Sequence, residues 1–366
     1  MGAADPRGRG ARLTLVLHVS KVSGISGSES HLLSVLPALS ERGWDIRMVV
    51  LHQGEEGARE FGDALDVPVA YERMHADVDP LAAARLVARF AREQPAVVHA
   101  HLVHAHFHAL PSAALARVPV RVAHHHGFNE FRAGSLFAAA DRAVARAATA
   151  HVAISAGLAD YLSDTEGLQR GAFEVVHYGI AAGAEPPPPP AEPRLLALGR
   201  LIPIKGLDML FRAFARARAE VPTLELDVAG QGPLRAELGA AAPDGVRFLG
   251  HVSPVGPVLE RALALAVPSR GEGFGMSALE AMERGRAVVA SRVGGLPSLV
   301  VDGETGLLVE PEDEDGLTEA LVRIARDPTA AARMGAAGRA RVLAEFSPDR
   351  PADELDALYR RLLASR

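Results

Sequence analysis

The chain has 366 residues, 48% hydrophobic and 23% charged, enough for about two domains, each with its own core. Its 39 basic residues face 45 acidic ones, and the formal charge of −6 argues against a nucleic-acid binder and a polybasic membrane anchor. Cysteine is absent, which excludes disulfides, thiolate zinc sites and cysteine nucleophiles. Only Lys21 and Lys205 are lysine; the remaining positive charge is arginine, so each lysine is worth locating. The longest apolar runs, Leu13 to Leu17 and Ala262 to Val267, are strand-sized and far short of the ~20 residues that span a bilayer. Arginines precede the first apolar run without a small-residue cleavage pattern, so no signal peptide and a soluble, cytoplasmic protein are expected.

Residues 12–19 form the first apolar run and end in a Gly- and Ser-rich loop, Ser20 to Gly27. Leu32, Leu33, Leu36 and Leu39 then recur at helical spacing and are closed by Gly43. Asp45 to Leu51, Ala96 to Ala100, Val118 to Ala123 and Ala150 to Ile154 read as further strands, with helical segments such as Leu81 to Arg92 between them. Glu185 to Pro193 contains five consecutive prolines; in polyproline II they span about 16 Å, a semi-rigid spacer between residues 1–184 and 194–346. Alternation then restarts with strands Arg194 to Leu198, Leu224 to Ala229, Val246 to Leu249, Leu263 to Val267 and Ala287 to Ala290, and helices Leu207 to Arg218 and Ser277 to Arg284. A final helix, Ala352 to Leu363, stripes Leu355, Leu358, Tyr359 and Leu362, so residues 347–366 are expected to pack back on the first domain. Strands that are apolar throughout mean parallel sheets covered on both faces: α/β, with two doubly wound Rossmann-like domains facing across a cleft.

Open parallel sheets bind ligands at the carboxyl ends of their strands. The first such loop of the second domain, Gly199 to Gly206, brings Arg200 and Lys205 to the start of a helix, and two cations beside free backbone N–H groups make a diphosphate pocket. A solvated loop with both cations pointing outward is the alternative. After strand Leu263 to Val267 comes a loop with Gly271, Gly273 and Gly275, and eight positions separate Glu272 from Glu280. Both carboxylates can face one crevice and accept hydrogen bonds from sugar hydroxyls, but Ser277 and Glu280 also fit a capping box with Glu280 in the first helical turn.

These segments, GRLIPIKGLDML from Gly199, PSRGEGFGMSALEAM from Pro268 and VGGLPSLVVDGETGLLVEPED from Val293, resemble in order and spacing the donor half of family-four retaining glycosyltransferases of GT-B fold. The resemblance is strongest over residues 190–330 and includes the E-x7-E element as Glu272 to Glu280. It implies that Arg200 and Lys205 hold a nucleotide's diphosphate, that Glu280 accepts from the ribose hydroxyls, and that Glu272 accepts from the transferred sugar. The backbone of Gly273, Phe274 and Gly275 would line sugar and phosphate, and Gly294, Gly295 and Leu296 resemble the next donor-side turn. Ser298 stands where the family usually has glutamate.

In the first half, Ser26 to Glu29 resembles the family's Gly-Gly-x-Glu loop with Ser26 for the first glycine; Gly27 would let backbone amides reach across the cleft, and a plain helix cap is the alternative. His126 resembles the family's strand-end histidine near the donor sugar, against a surface-loop histidine. Val176 to Ile180 resembles an interdomain segment that often ends Asn-Gly-Ile, with Tyr178 departing. His99, His101, His104, His106 and His108 crowd one stretch, followed by His124 and His125; a strand-then-helix geometry is expected to scatter the five, so no metal site is expected.

The resemblance implies transfer of a sugar, UDP-linked in this reading, to an acceptor hydroxyl with retained anomeric configuration, in glycan or glycoside biosynthesis. It implies no metal and no other cofactor beyond the nucleotide-sugar co-substrate. Alternatives are an epimerase or hydrolase of the same fold acting on a nucleotide sugar, or a histidine-rich metal hydrolase. The Ala- and Arg-rich stretch Ala138 to Ala148 suits a solvated helix, with peripheral contact to a lipid surface as the alternative.

Overall fold

A computed structural model describes residues 13–128 and 135–366. Arg12, at the start of the first expected strand, and the arginines before it lie outside the described residues. In chain order the first unit runs β1 (Thr14–Lys21), α1 (Gly27–Glu41), β2 (Trp44–His52), α2 (Glu56–Ala64), β3 (Val69–Arg73), α3 (Pro80–Glu93), β4 (Val97–His101), α4 (Leu102–Leu115), β5 (Val120–His125), α5 (Ser135–Ala145), β6 (Ala150–Ala153), α6 (Ala156–Glu166) and β7 (Phe173–Val175). The second runs β8 (Arg194–Leu198), α7 (Leu207–Glu220), β9 (Glu225–Ala229), α8 (Arg235–Ala241), β10 (Val246–Gly250), α9 (Gly256–Glu260), β11 (Ala264–Val267), α10 (Met276–Glu283), β12 (Ala287–Ser291), α11 (Leu296–Leu299), β13 (Gly306–Val309), α12 (Glu314–Arg326) and α13 (Pro328–Glu345). A last helix, α14 (Asp349–Ala364), follows.

Each unit holds one parallel sheet, ordered β3-β2-β1-β4-β5-β6-β7 and β10-β9-β8-β11-β12-β13. Both orders reverse beside their first strand, so a crevice opens outside the carboxyl ends of β1 and β4 in one sheet and of β8 and β11 in the other. The apolar strands follow from burial on both faces. Strands β3, β7 and β13 were not marked by the sequence reading; they are three to five residues long, and β3 mixes charged with apolar residues, so each carries little periodicity.

Period two along β1, β4 and β5 divides the first sheet. One face carries Leu17, Val19, Val98, Ala100 and Ala123 against α3 and α4. The other starts with Val16, Val97, Val120 and Val122 against α1 and α14, then changes to His18, His99, His101 and His124 toward the carboxyl ends. The expected scatter of the five histidines is met only in part. His104, His106 and His108 do leave on α4, but His99 and His101 join histidines of the neighbouring strands, all of them buried.

Helix α14 closes this face. Leu355, Leu358 and Tyr359 are buried in the first unit's core, and the Trp44 indole N–H donates to Asp356 at 2.7 Å. The proline-rich spacer is clamped to the second unit: fully buried Arg286 donates to the Pro187 carbonyl at 2.8 Å, and Glu283 accepts from the Gly183 N–H at 2.8 Å.

The Tyr359 hydroxyl bonds His99 Nδ1 and lies 3.4 Å from His18 Nε2. Tyr359→Phe keeps the packing but leaves these buried ring nitrogens without their partner, so urea denaturation is expected to show a loss of about 1–3 kcal/mol. An unchanged midpoint would mean that the hydroxyl does not anchor the helix.

Candidate active site

The second sheet's crevice gathers the positions marked in its half of the sequence. Gly199 and Arg200 leave β8, the short turn Pro203–Lys205 follows, and Gly206 begins α7. A pocket forms where Gly199, Arg200 and Lys205 meet Pro268 and Ser269 at the end of β11. Arg200 is exposed, and no described residue pairs with it. Lys205 Nζ donates to Glu272 Oε2 at 2.6 Å, and the Ser269 hydroxyl donates to the same oxygen at 3.3 Å. The two cations and one of the two carboxylates thus share one pocket edge.

Glu280 corrects a local reading. Helix α10 is capped by Gly275 at φ +106°, a conformation that favours glycine, so Ser277 is the second helical residue and not a cap. Glu280 is the fifth residue, beyond the first turn, and takes no part in capping. Burial without a cation pushes its carboxyl up to about 7.

The glycine turns hold the loops at backbone distance. Gly294, at φ +54°, lies so close to Glu272 that an added Cβ would stand 1.7 Å from its carbonyl oxygen. The Gly295 N–H donates to that same carbonyl at 3.1 Å. Leu296 and Phe274 are buried: Leu296 packs beneath Gly275, and Phe274 packs against His177, Tyr178 and Phe346, so their side chains support the loop from below and only their backbone can face a ligand.

The first unit supplies the facing wall. The Ser155 hydroxyl donates to the Gly273 carbonyl at 2.7 Å, and an added Cβ on Gly273 would meet the His126 carbonyl at 3.0 Å. Gly27, first residue of α1, packs against Met276 of α10, where an added Cβ would stand only 3.0 Å from that side chain. Glu29 satisfies the loop beside it, accepting from the Ser26 N–H at 3.1 Å and from the Ser28 hydroxyl at 3.0 Å. The capping reading therefore holds at Ser26 and Glu29, while Gly27 lies at the cleft against the Met276 side chain.

His126 stands beside Gly273, but both its ring nitrogens are taken inside the protein, Nε2 with His101 Nδ1 at 2.8 Å and Nδ1 with the Tyr178 hydroxyl. What it presents across the cleft is its backbone carbonyl. Ser155 and Tyr178 are contributors that the sequence reading did not place. A Ser after a strand is a common helix cap, and its second partner lies 118 residues away. Lys21 ends β1 and pairs with Asp77 at 3.0 Å and Gln53 at 3.4 Å, in the first sheet's crevice.

Comparison with known proteins agrees with this architecture. A family model described as Glycosyltransferase Family 4 matches residues 25–183, and one described as Glycosyl transferases group 1 matches residues 192–327. A glycogen synthase of Mycobacterium tuberculosis is 32% identical over 278 residues, covering 69% of this chain and 66% of its own. A GDP-mannose-dependent alpha-(1-6)-phosphatidylinositol monomannoside mannosyltransferase of Mycolicibacterium smegmatis is 37% identical over 163 residues, covering 40% of this chain and 42% of its own. The matched stretch thus spans from about two-fifths to about two-thirds of these curated relatives. Among solved structures, Anabaena Alr3699/HepE in complex with UDP and glucose superposes with a TM-score of 0.81 at 18% identity, covering 95% of this chain and 100% of that one. A sucrose-phosphate synthase from Thermosynechococcus elongatus reaches 0.77 at 23% identity, covering 96% and 100%, and at such identities the likeness shows the fold. Two matched models that cover both halves in order, on two facing parallel sheets, mean that the chain belongs to the family-four glycosyltransferases of GT-B fold.

Proposed function

We propose that the protein transfers a sugar from a nucleotide-diphosphate donor to an acceptor hydroxyl with retention of anomeric configuration. The observation that carries the reading is the pocket edge lined by Arg200 and Lys205, with Glu272 bonded to Lys205 and to Ser269 of the same lining. The barrier to such transfer lies in departure of the diphosphate and in positive charge growing at the anomeric carbon. Arg200 and Lys205 stabilise the leaving group's charge as it develops, and fixed cations in a partly closed crevice act there more strongly than in water. Glu280 accepts from the ribose hydroxyls and Glu272 from a hydroxyl of the sugar, while the backbone of Gly273 to Gly275 lies along the phosphate and sugar. The leaving phosphate takes the acceptor's proton on the face it departs from, so retention needs no enzymic nucleophile. In this reading the two cations do the work that a metal ion does for other diphosphates, and no other cofactor enters.

UDP is the base assigned to the donor, supported by the UDP-bound fold neighbour; the GDP-mannose dependence of the mannosyltransferase relative makes GDP-mannose its first competitor. A thermal-shift panel of nucleotide diphosphates and their sugars decides between them, since a specific ligand raises the midpoint by linkage. Incubation with donor alone separates transfer from hydrolysis or epimerisation: nucleotide release at full rate without acceptor would overturn the transferase reading.

Lys205→Ala is expected to lower turnover by about 10²–10³-fold, the scale of losing one preorganised charge-stabilising group. Its Tm should stay close to the parent's, because the Lys205–Glu272 pair is partly exposed and contributes little to stability. Near-normal turnover would remove Lys205 from the diphosphate.

The raised pKa of Glu280 sets a pH dependence. Above about 7 the carboxylate accepts two hydrogen bonds, and below it the protonated carboxyl is a poorer acceptor. The donor KM is expected to rise severalfold as the pH falls from 7.5 to 6, and this rise should be absent in Glu280→Gln. A pH-dependent rise that survives in the glutamine variant would assign it elsewhere.

A further inference from the structure

We propose that His101, His124 and His126 form a binding site for a divalent transition-metal ion of the zinc type, set in the first domain's wall of the cleft and separate from the diphosphate pocket. Each of the three rings offers a nitrogen within 4.8 Å of the other two. Each also has its other nitrogen held by a specific partner: His101 Nε2 by His18 Nδ1 at 2.9 Å, His124 Nδ1 by His99 Nε2 at 3.1 Å, and His126 Nδ1 by the Tyr178 hydroxyl. Metal-binding histidines characteristically have this second nitrogen fixed, which sets tautomer and ring orientation.

The three remaining nitrogens are His101 Nδ1, His126 Nε2 and His124 Nε2. The first two lie 2.8 Å apart, and the third is buried without a hydrogen-bond partner. An unpartnered buried imidazole nitrogen costs free energy that a bound ion recovers. Zinc–nitrogen bonds of about 2.1 Å in a tetrahedral set place ligand nitrogens about 3.4 Å apart, so loading requires the rings to turn. Three imidazoles with no carboxylate or thiolate suit Zn²⁺, Co²⁺, Ni²⁺ or Cu²⁺, and are the wrong donor set for Mg²⁺ or Ca²⁺.

The neighbouring triple, His18, His99 and His101, lies deeper, and its nitrogens are already engaged with one another, with His124 and with Tyr359, so it supports the outer site. His126, by contrast, is only partly buried and stands at the cleft, its carbonyl beside Gly273. An ion here stiffens the wall against which the donor loop packs.

The test uses the full chain, stripped with chelator, desalted and titrated with Zn²⁺ against a chromophoric chelator. One equivalent bound with micromolar or tighter Kd is expected, together with a Zn²⁺-dependent rise in Tm. His124→Gln and His126→Gln should each weaken binding at least 100-fold, while His104→Gln, on α4 and outside the site, leaves it intact. X-ray absorption on the zinc-loaded parent protein tests the ligand set without any substitution, and three imidazoles are expected. Absence of binding, binding unchanged in both glutamine variants, or a zinc shell with fewer than three imidazoles would overturn the site. None of these outcomes bears on glycosyl transfer, which rests on the other side of the cleft.

Discussion

A run of imidazole rings placed where a parallel sheet ordinarily buries valine is the constraint on which the first domain is organised. A neutral imidazole carries one donor and one acceptor, and a buried ring nitrogen left alone costs about as much as a lost hydrogen bond. The rings meet this demand in one line: His124 to His99, His99 to Tyr359, Tyr359 to His18, His18 to His101, His101 to His126, and His126 to Tyr178. Each hydroxyl can donate one way and accept the other, so without an ion the line can run in a single direction, whereas an ion on His101, His124 and His126 requires His18 and His99 both to donate to the Tyr359 hydroxyl. Burial keeps the rings neutral, with His18 held at about 3 and His99, His101, His124 and His126 well below the ordinary histidine range. Protonating one member would put a charge in the core and break the line's sense.

That line explains why distant parts of the chain must meet. Tyr359 belongs to the last helix and Tyr178 to the segment leaving the first sheet, yet each supplies a hydroxyl that the rings require. The C-terminal helix returns to the first domain for more than its leucine stripe. On the cleft side, the line passes through His126, whose ring is held by His101 and Tyr178 and whose carbonyl lies beside Gly273 of the second domain. The two domains touch through backbone where Gly157 meets the Gly294 carbonyl and Gly273 the His126 carbonyl, and through side chains where Ile154, Leu158 and Tyr178 join Phe274, Leu296 and Leu299 in one apolar cluster.

Much of this was legible in the sequence, and the limits have physical causes. The two-sheet fold followed from apolar runs alternating with helical periods, because strands buried on both faces are apolar throughout. Lys205 and Glu272 were marked from loops at strand ends, and the structure brings them to 2.6 Å. The capping reading of Ser277 failed because Gly275, in a left-handed conformation, starts the helix two residues earlier; glycine caps and serine caps look alike in a string of letters. The histidines were misjudged for a similar reason. Alternation within β4 was visible, but register against β1 and β5 was not, and only that register pairs His18 with His99 and His101 with His124. Tyr178 was visible only as a departure from a pattern, since its partner lies 52 residues away in the chain.

The two lysines also come into focus through their partners. Lys21 is paired with Asp77 at the edge of the first crevice, while Lys205 is paired with a carboxylate that the proposed chemistry needs elsewhere. In the structure Glu272 is paired with Lys205, while Arg200 is exposed and pairs with no described residue. An incoming diphosphate offers Lys205 a partner with more charge and more acceptor oxygens than one carboxylate, and a compact ammonium on a flexible stem can swing between the two more easily than a planar guanidinium could. Release of Glu272 from Lys205 then frees its oxygens for a sugar hydroxyl. Under the proposed function, binding the phosphates and readying the sugar-side carboxylate become one exchange of partners, which a flexible ammonium suits better than a guanidinium.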